Sequence, residues 1–339
     1  MYVEGRKGRS PFRLGNTEYS FVNQAAEPIP PPLADQPGHA EDSSLTTGRR
    51  LLYLLRTMRP KQWTKNGFVL VGLVFDGKLL ELPLAMTALW TVVCFCLVSS
   101  SVYILNDLVD IERDRHHPRK RLRPLASGRL SPSLAKSAMF VLAVAGVLGA
   151  GTTNIYVALT LVAYLLLNVV YCGTLKNLVI IDVMMIAVFF VLRVAAGSIA
   201  VEVSAFSPWL YICVSLLALF IALGKRRHEI VLLREAAAGH RTSLKQYNLP
   251  LLDQLIGVVT TSGLISYTFY SFEAETALAD PSRMMLTVPL IVFVVFRYLY
   301  LIHVEQRGGA PDDLLFADRP LLAAVVLWVL SVVAVIYFP

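Results

Sequence analysis

Apolar residues in this chain gather into long runs with few charges, separated by short polar or basic stretches. Nine such runs follow one another at 66–80, 83–105, 134–152, 154–172, 180–200, 207–223, 253–273, 284–303 and 320–338. Each approaches the ~20 residues that carry an α-helix across a bilayer, and only helices satisfy every backbone polar group there within one segment. The pattern predicts an all-α polytopic membrane protein with nine transmembrane helices. Asp76 and Lys78 interrupt the first run, so its helix is allowed to begin earlier, in the amphipathic stretch 51–65. Residues 1–48 lack an apolar core and contain Pro28-Ile29-Pro30-Pro31-Pro32, which predicts a disordered tail before a transmembrane domain at 49–339. That tail has none of the features of a secretory signal.

Charge orients the pattern. The chain has 339 residues, is 55% hydrophobic and carries a formal charge of +7, and its cations are unevenly spread. Arg113, Arg115, Arg119, Lys120, Arg121, Arg123 and Arg129 follow the second run; Lys225, Arg226, Arg227, Arg234, Arg241 and Lys245 follow the sixth. The opposite side holds little beyond Lys78 and Arg283. The positive-inside rule therefore places the N-terminus and these loops in the cytoplasm and, after nine crossings, the C-terminus outside. The expected location is the inner (plasma) membrane, with the lipid bilayer as partner and no nucleic acid; a homo-oligomer is left open. Cys94, Cys96, Cys172 and Cys213 lie in or beside spans and read as small buried hydrophobes.

One stretch concentrates the chemistry. Asn106-Asp107-Leu108-Val109-Asp110-Ile111-Glu112-Arg113-Asp114 continues directly from the second apolar run. On a helix, Asp107, Asp110 and Asp114 fall within about 60° of one another over roughly 10 Å of axis, and Glu112 points away. Three like charges at the negative end of a helix repel, and a hard cation such as Mg²⁺, held by one or two carboxylates plus phosphate oxygens, relieves that repulsion. The cationic loop 116–129 beside them suits a polyanion, although a topology signal would carry the same charges.

Other polar residues have two readings each. Lys61, Lys65 and Asn66 stand where an anionic headgroup would arrive, or anchor the first span. Lys176 closes span four. Asp182 opens span five as a second metal-facing carboxylate or a polar helix start, and Arg193, deep in that span, is expected to line a cavity or form an ion pair. Gly224-Lys225-Arg226-Arg227 could hold a phosphate or serve only topology. Arg297 suggests a second cavity residue, and the acidic loop ending at Asp318 could close over a site or pair with arginines.

Together these residues resemble the UbiA superfamily of intramembrane prenyltransferases, through N-D-x-x-D-x-x-x-D at Asn106, Asp107, Asp110 and Asp114. Within it they resemble the decaprenyl-phosphate phosphoribosyltransferase-like branch. That branch is matched by Arg59-Pro60-Lys61-Gln62-Trp63-Thr64-Lys65-Asn66, His117-Pro118, Leu175-Lys176 with Asp182, Arg193, Gly224-Lys225-Arg226-Arg227 with Glu229, Arg297-Tyr298 and Asp318-Arg319-Pro320. The resemblance implies a nine-helix fold with a cytoplasmic active site. It implies Mg²⁺-dependent transfer of 5-phosphoribosyl from phosphoribosyl diphosphate to a polyprenyl phosphate. Asp107, Asp110 and Asp114 would be metal ligands, Asn106 and Asp182 orienting groups, and Lys176, Lys225, Arg226 and Arg227 phosphate ligands; Arg115 and Arg121 are further substrate candidates. Lys61, Lys65 and Arg193 would meet the lipid phosphate. The second Asp-rich motif of aromatic prenyltransferases has no counterpart after span six. Prenyl transfer from a prenyl diphosphate is the alternative, and a transporter using Arg193 and Arg297 is a third.

Overall fold

The computed structural model describes residues 47–116, 120–204, 207–233, 246–273, 281–307, 309 and 311–338. Residues 1–46 of the expected disordered tail, His117, Pro118 and Arg119, and Arg234, Arg241 and Lys245 lie outside the described residues, and Thr47 and Gly48 open the first helix. Among the described residues every regular element is helical. Besides three short 3₁₀ segments (Lys120–Leu122, Leu175–Asn177 and Met285–Thr287), these are in chain order α1 (Thr47–Met58), a 3₁₀ helix (Pro60–Leu70), α2 (Val71–Phe75), α3 (Leu82–Val109), α4 (Ile111–Arg115), α5 (Pro132–Gly151), α6 (Ile155–Gly173) and α7 (Ile181–Ala200). They continue with α8 (Pro208–Leu233), α9 (Leu249–Glu273), α10 (Pro281–Met284), α11 (Val288–His303), α12 (Pro311–Ala317) and α13 (Arg319–Tyr337).

Eight helices of the described residues are long and apolar enough to cross a membrane, so the protein is an integral membrane protein. They correspond to the second through ninth predicted runs. The first run differs: the chain breaks at Arg59, which takes a left-handed φ of 54°, and continues as the 3₁₀ helix and α2. Eleven residues at ~2.0 Å and five at ~1.5 Å give a rod of about 30 Å. This rod packs against α3 and α7. Gly197 of α7 makes the approach feasible, since a Cβ there would overlap the Val69 carbonyl. Asp76 and Lys78 fall beyond the rod, where Asp76 accepts from the Ser204 N–H at 3.0 Å and Lys78 reaches the Glu202 carbonyl at 2.6 Å.

Helices of alternating direction bring the ends of α3, α6, α8 and α11 to one end of the bundle. Three buried serines in α3, Ser99, Ser100 and Ser101, satisfy their hydroxyls on carbonyls three or four residues back, so they sit in the interior without a penalty for unpaired polar atoms. Ser100 also accepts from the Trp63 indole at 3.0 Å, which ties the 3₁₀ helix to α3.

Candidate active site

The aspartate stretch forms at the end of α3. The helix ends at Val109, but Asp110 N–H still bonds to the Asn106 carbonyl and Asp114 N–H to that of Asp110, so helical register persists into α4. Asp107 and Asp114 are 3% and 2% exposed. Burying charges at this level demands partners, and all three carboxylates have them. Arg123 Nη1 donates to Asp107 at 3.1 Å and to Asp114 at 2.6 Å; Arg59 donates to the same Asp107 oxygen. Lys176, 2% exposed, places Nζ 2.9 and 3.0 Å from the two oxygens of Asp110. Glu112 is 76% exposed and bonds to Arg115 at 2.7 Å, on the outside as the helical angle predicts. Arg115, a substrate candidate from sequence, therefore stands outside the carboxylate layer. Asn106 is half-buried and accepts from Cys172 Sγ at 3.6 Å; Arg121 is half-buried in the turn Lys120–Leu122.

A second cluster adjoins through the α6–α7 connection. Asp182, fully buried, accepts from Arg226 Nε at 2.8 Å and from the Tyr247 hydroxyl at 2.8 Å. Burial and the neighbouring Asp182 push the Tyr247 phenol well above its ordinary pKa, so it stays protonated and is the donor. Both Asp182 oxygens thus accept from protein donors, where a role in orienting the metal shell or the ribose was expected. Arg226 also bonds to Glu229 at 2.6 Å.

Gly224, Lys225, Arg226 and Arg227, expected to hold a phosphate or serve only topology, lie within α8, which runs on to Leu233, and successive helical side chains diverge by 100°. Lys225 is exposed, Arg226 turns to α7, and Arg227 bonds to Asp253 of α9 at 2.7 Å and to the Ile302 carbonyl at 3.0 Å. The three cations do not share one ligand position.

Arg193 was expected to line a cavity, form a structural ion pair or meet a lipid phosphate. It is 4% exposed and donates to Asn66 at 2.9 Å, the Tyr164 hydroxyl at 2.9 Å and the Phe189 carbonyl at 2.8 Å, with its guanidinium 4.9 Å from the Tyr164 ring centre. Asn66, fully buried, passes its own N–H to Ser99 at 3.2 Å. Arg193 and Asn66 thus join the 3₁₀ helix to α3, α6 and α7 in the interior of the bundle. Arg297 likewise grips Asp318 at 3.1 and 2.7 Å, so the acidic loop pairs with an arginine through that residue. Lys61 is exposed, and the half-buried Lys65 donates to Gln62 at 2.5 Å.

The residues that sequence reasoning missed are Arg59 and Arg123, which neutralise the carboxylate layer, and Tyr247. Arg59 stood in a quoted motif and Arg123 in the cationic loop, but no periodicity marks a loop arginine that folds back. Among the described residues no three His, Cys, Asp or Glu side chains converge into a ready metal cage. Mg²⁺ needs fewer: one or two carboxylates with phosphate oxygens suffice. Asp107 and Asp114 offer hard oxygens that already converge on one cationic nitrogen, so the donor set fits that ion.

Beside the 3₁₀ helix lies an almost wholly apolar cavity of about 410 Å³, lined among others by Thr64, Phe68, Val71, Phe220, Tyr267 and Trp328.

A membrane-spanning helical bundle thus holds a buried layer of shared charge at one end and an apolar cavity in its interior. The chain belongs to the UbiA prenyltransferase family, whose profile matches residues 67–317, and it is a transferase. It is 29% identical over 313 residues to a protein of Mycolicibacterium smegmatis named decaprenyl-phosphate phosphoribosyltransferase, covering 89% of this chain and 96% of that one. A Corynebacterium glutamicum protein of the same name is 30% identical over 297 residues, covering 84% and 86%. Among solved structures, a UbiA homologue from Archaeoglobus fulgidus bound to GPP and Mg²⁺ shares the fold with a TM-score of 0.63 at 18% identity, over 84% of this chain and 99% of that one.

Proposed function

We propose that this protein transfers a 5-phosphoribosyl group from phosphoribosyl diphosphate to a polyprenyl phosphate, with Mg²⁺ and release of pyrophosphate. The observation that carries the reading is the carboxylate layer in which cations are shared, Asp107–Arg123–Asp114 with Arg59, and Asp110–Lys176. Such a layer can accept a metal and a diphosphate by exchanging partners, because guanidinium and ammonium groups bind phosphate and carboxylate oxygens alike. The relatives named above support the choice of donor and acceptor. So does the lack of a second Asp-rich motif at 224–229.

In the reaction, an oxygen of the lipid phosphate bonds to the ribose carbon, and the bond from that carbon to the diphosphate breaks with its electron pair leaving on pyrophosphate. The acceptor is already an anion, so no strong base is required. Asp107, Asp114 and Asp110 would hold Mg²⁺, which supplies neutralisation of the departing diphosphate. Arg59, Arg123 and Lys176 line the same layer and hold phosphate oxygens in place. Lys61 and Lys65, at the start of the 3₁₀ helix, receive the lipid phosphate. The polyprenyl chain runs into the apolar cavity, which Thr64 helps to line. The 30 Å rod of the 3₁₀ helix and α2 makes the ninth crossing of a bilayer core of the same thickness. The charge layer then faces the cytoplasm of an inner membrane, with the N-terminus on that side.

The test is direct. Purified protein in detergent receives phosphoribosyl diphosphate, polyprenyl phosphates of several lengths and Mg²⁺, and lipid products are read by mass spectrometry. A phosphoribosylated lipid that vanishes with EDTA is expected. No such product, with turnover of a prenyl diphosphate instead, would replace this reading with prenyl transfer.

A further inference from the structure

The connection between α6 and α7 contains an unusual backbone. Ile180 has φ 70° and ψ −49°, and the Ile181 N–H bonds to the Val179 carbonyl at 2.8 Å. This is a γ-turn of the positive-φ kind, which is rare and strained, and a β-branched residue is among the least suited to it. The Ile180 side chain is 47% exposed, so its own packing does not hold the turn.

One hydroxyl does. The Tyr247 oxygen accepts from the Ile180 N–H at 2.7 Å and donates to Asp182 Oδ1 at 2.8 Å, bridging the strained residue to the first turn of α7. The Tyr247 ring is anchored independently, 6% exposed in a core that includes Val183, Phe220 and Leu252. The segment held this way carries both contacts that join the two charge clusters. Lys176, four residues before the turn, reaches Asp110, and Asp182, two residues after it, reaches Arg226.

We propose that Tyr247 is a positioning residue whose hydroxyl holds the strained Ile180 turn closed, so that Lys176 is delivered to Asp110 and Asp182 to Arg226. Its effect on turnover rests on the phosphoribosyl-transfer reading; its effect on the turn does not. Strain confined to a turn that sets two buried charges is the pattern expected where geometry serves chemistry. A free hydroxyl can donate once and accept twice, and this one is used in both senses, so phenylalanine preserves the packing and removes the clamp.

The experiment pairs hydrogen exchange with turnover. In Tyr247→Phe, peptides covering 174–184 are expected to exchange about tenfold faster than in the wild type, while peptides of α5 and α13 stay unchanged. kcat for the transfer should fall about 10- to 100-fold with KM for the lipid phosphate within about twofold, because a displaced Lys176 misplaces the reacting groups. Ile180→Gly adopts the turn without strain. Added to Tyr247→Phe it should restore kcat to within about threefold of the wild type, and alone it should raise the unfolding temperature. Unchanged exchange at 174–184 in Tyr247→Phe would overturn the proposal, as would a kcat loss that Ile180→Gly does not restore, or a lower unfolding temperature for Ile180→Gly alone. A wild type that makes no phosphoribosylated lipid, with exchange still accelerated in Tyr247→Phe, would sink the reaction assignment and support the clamp.

Discussion

Two sets of carboxylate–cation contacts at the same end of the bundle are wired differently. Arg297 and Asp318 form a two-point fork, with Nε and Nη2 on the two oxygens of one carboxylate and Glu305 more distant at 3.8 Å from Nη2, and Asp318 also caps α13 by accepting from the Leu321 N–H at 2.9 Å. In the aspartate layer, by contrast, one nitrogen of Arg123 serves two carboxylates, and one oxygen of Asp107 serves two arginines. A two-point fork joins two helices and gains nothing from a ligand. A layer of shared partners can release a cation to an incoming phosphate, or a carboxylate to a metal, without parting the helices that carry it. On the proposed reading, that exchange of partners is what suits the aspartate layer to a ligand.

The sharpest break of this comparison is Asp107→Ala. It removes the carboxylate that both arginines address, and transfer should fall by about 10³-fold or more while the protein stays monodisperse in detergent. Wild-type turnover in that variant would end the assignment of this layer as the active site. Lys176→Met comes next. It leaves the half-buried Asp110 with only Arg113, at 3.5 Å, and should cost about 1–3 kcal/mol of stability, with turnover down about 10- to 100-fold. Adding Asp110→Asn sharpens the point: unfolding temperature should recover and turnover should not. Recovery of both would make the pair structural.

The smallest effect on turnover belongs to the two-point fork. Hydrogen bonds from Arg297, and then from the Leu321 backbone, hold the Asp318 carboxyl below its ordinary range. A depressed folded pKa means that the ionised form contributes stability above the unfolded value near pH ~4, and that this share is lost as pH falls through the folded pKa. Asp318→Asn should therefore lower the unfolding temperature at pH 7 and flatten its decline between pH 5 and pH 3. Turnover at pH 7 should stay within about threefold, as befits a helix contact away from the reacting groups. Thermal unfolding followed by tryptophan fluorescence across that range checks the sign, and a pH profile matching the wild type would mean that the fork stores no acid-sensitive stability.

Much of this protein was legible in its pattern because membrane spans are read from composition over ~20 residues, and eight of the nine runs became long helices. The carboxylate register was legible too, because a 3.6-residue period fixes which side chains share a face: Glu112 is outside, and Asp107 and Asp114 meet at one nitrogen. Residue type and period within one helix are local properties, and the chain determined them unaided. Partner choice is not local. Arg193 and Asp182 look like site residues by the rule that charges in spans are functional, yet each is saturated by side chains from distant segments, Asn66 and Tyr164 for one, Arg226 and Tyr247 for the other. Lys225, Arg226 and Arg227 read as one phosphate cradle until α8 continues through them and turns each to a different neighbour. Tertiary structure alone decided those roles, because a buried charge takes whichever partner packing brings within hydrogen-bond reach, and that geometry is set by helices far apart in sequence.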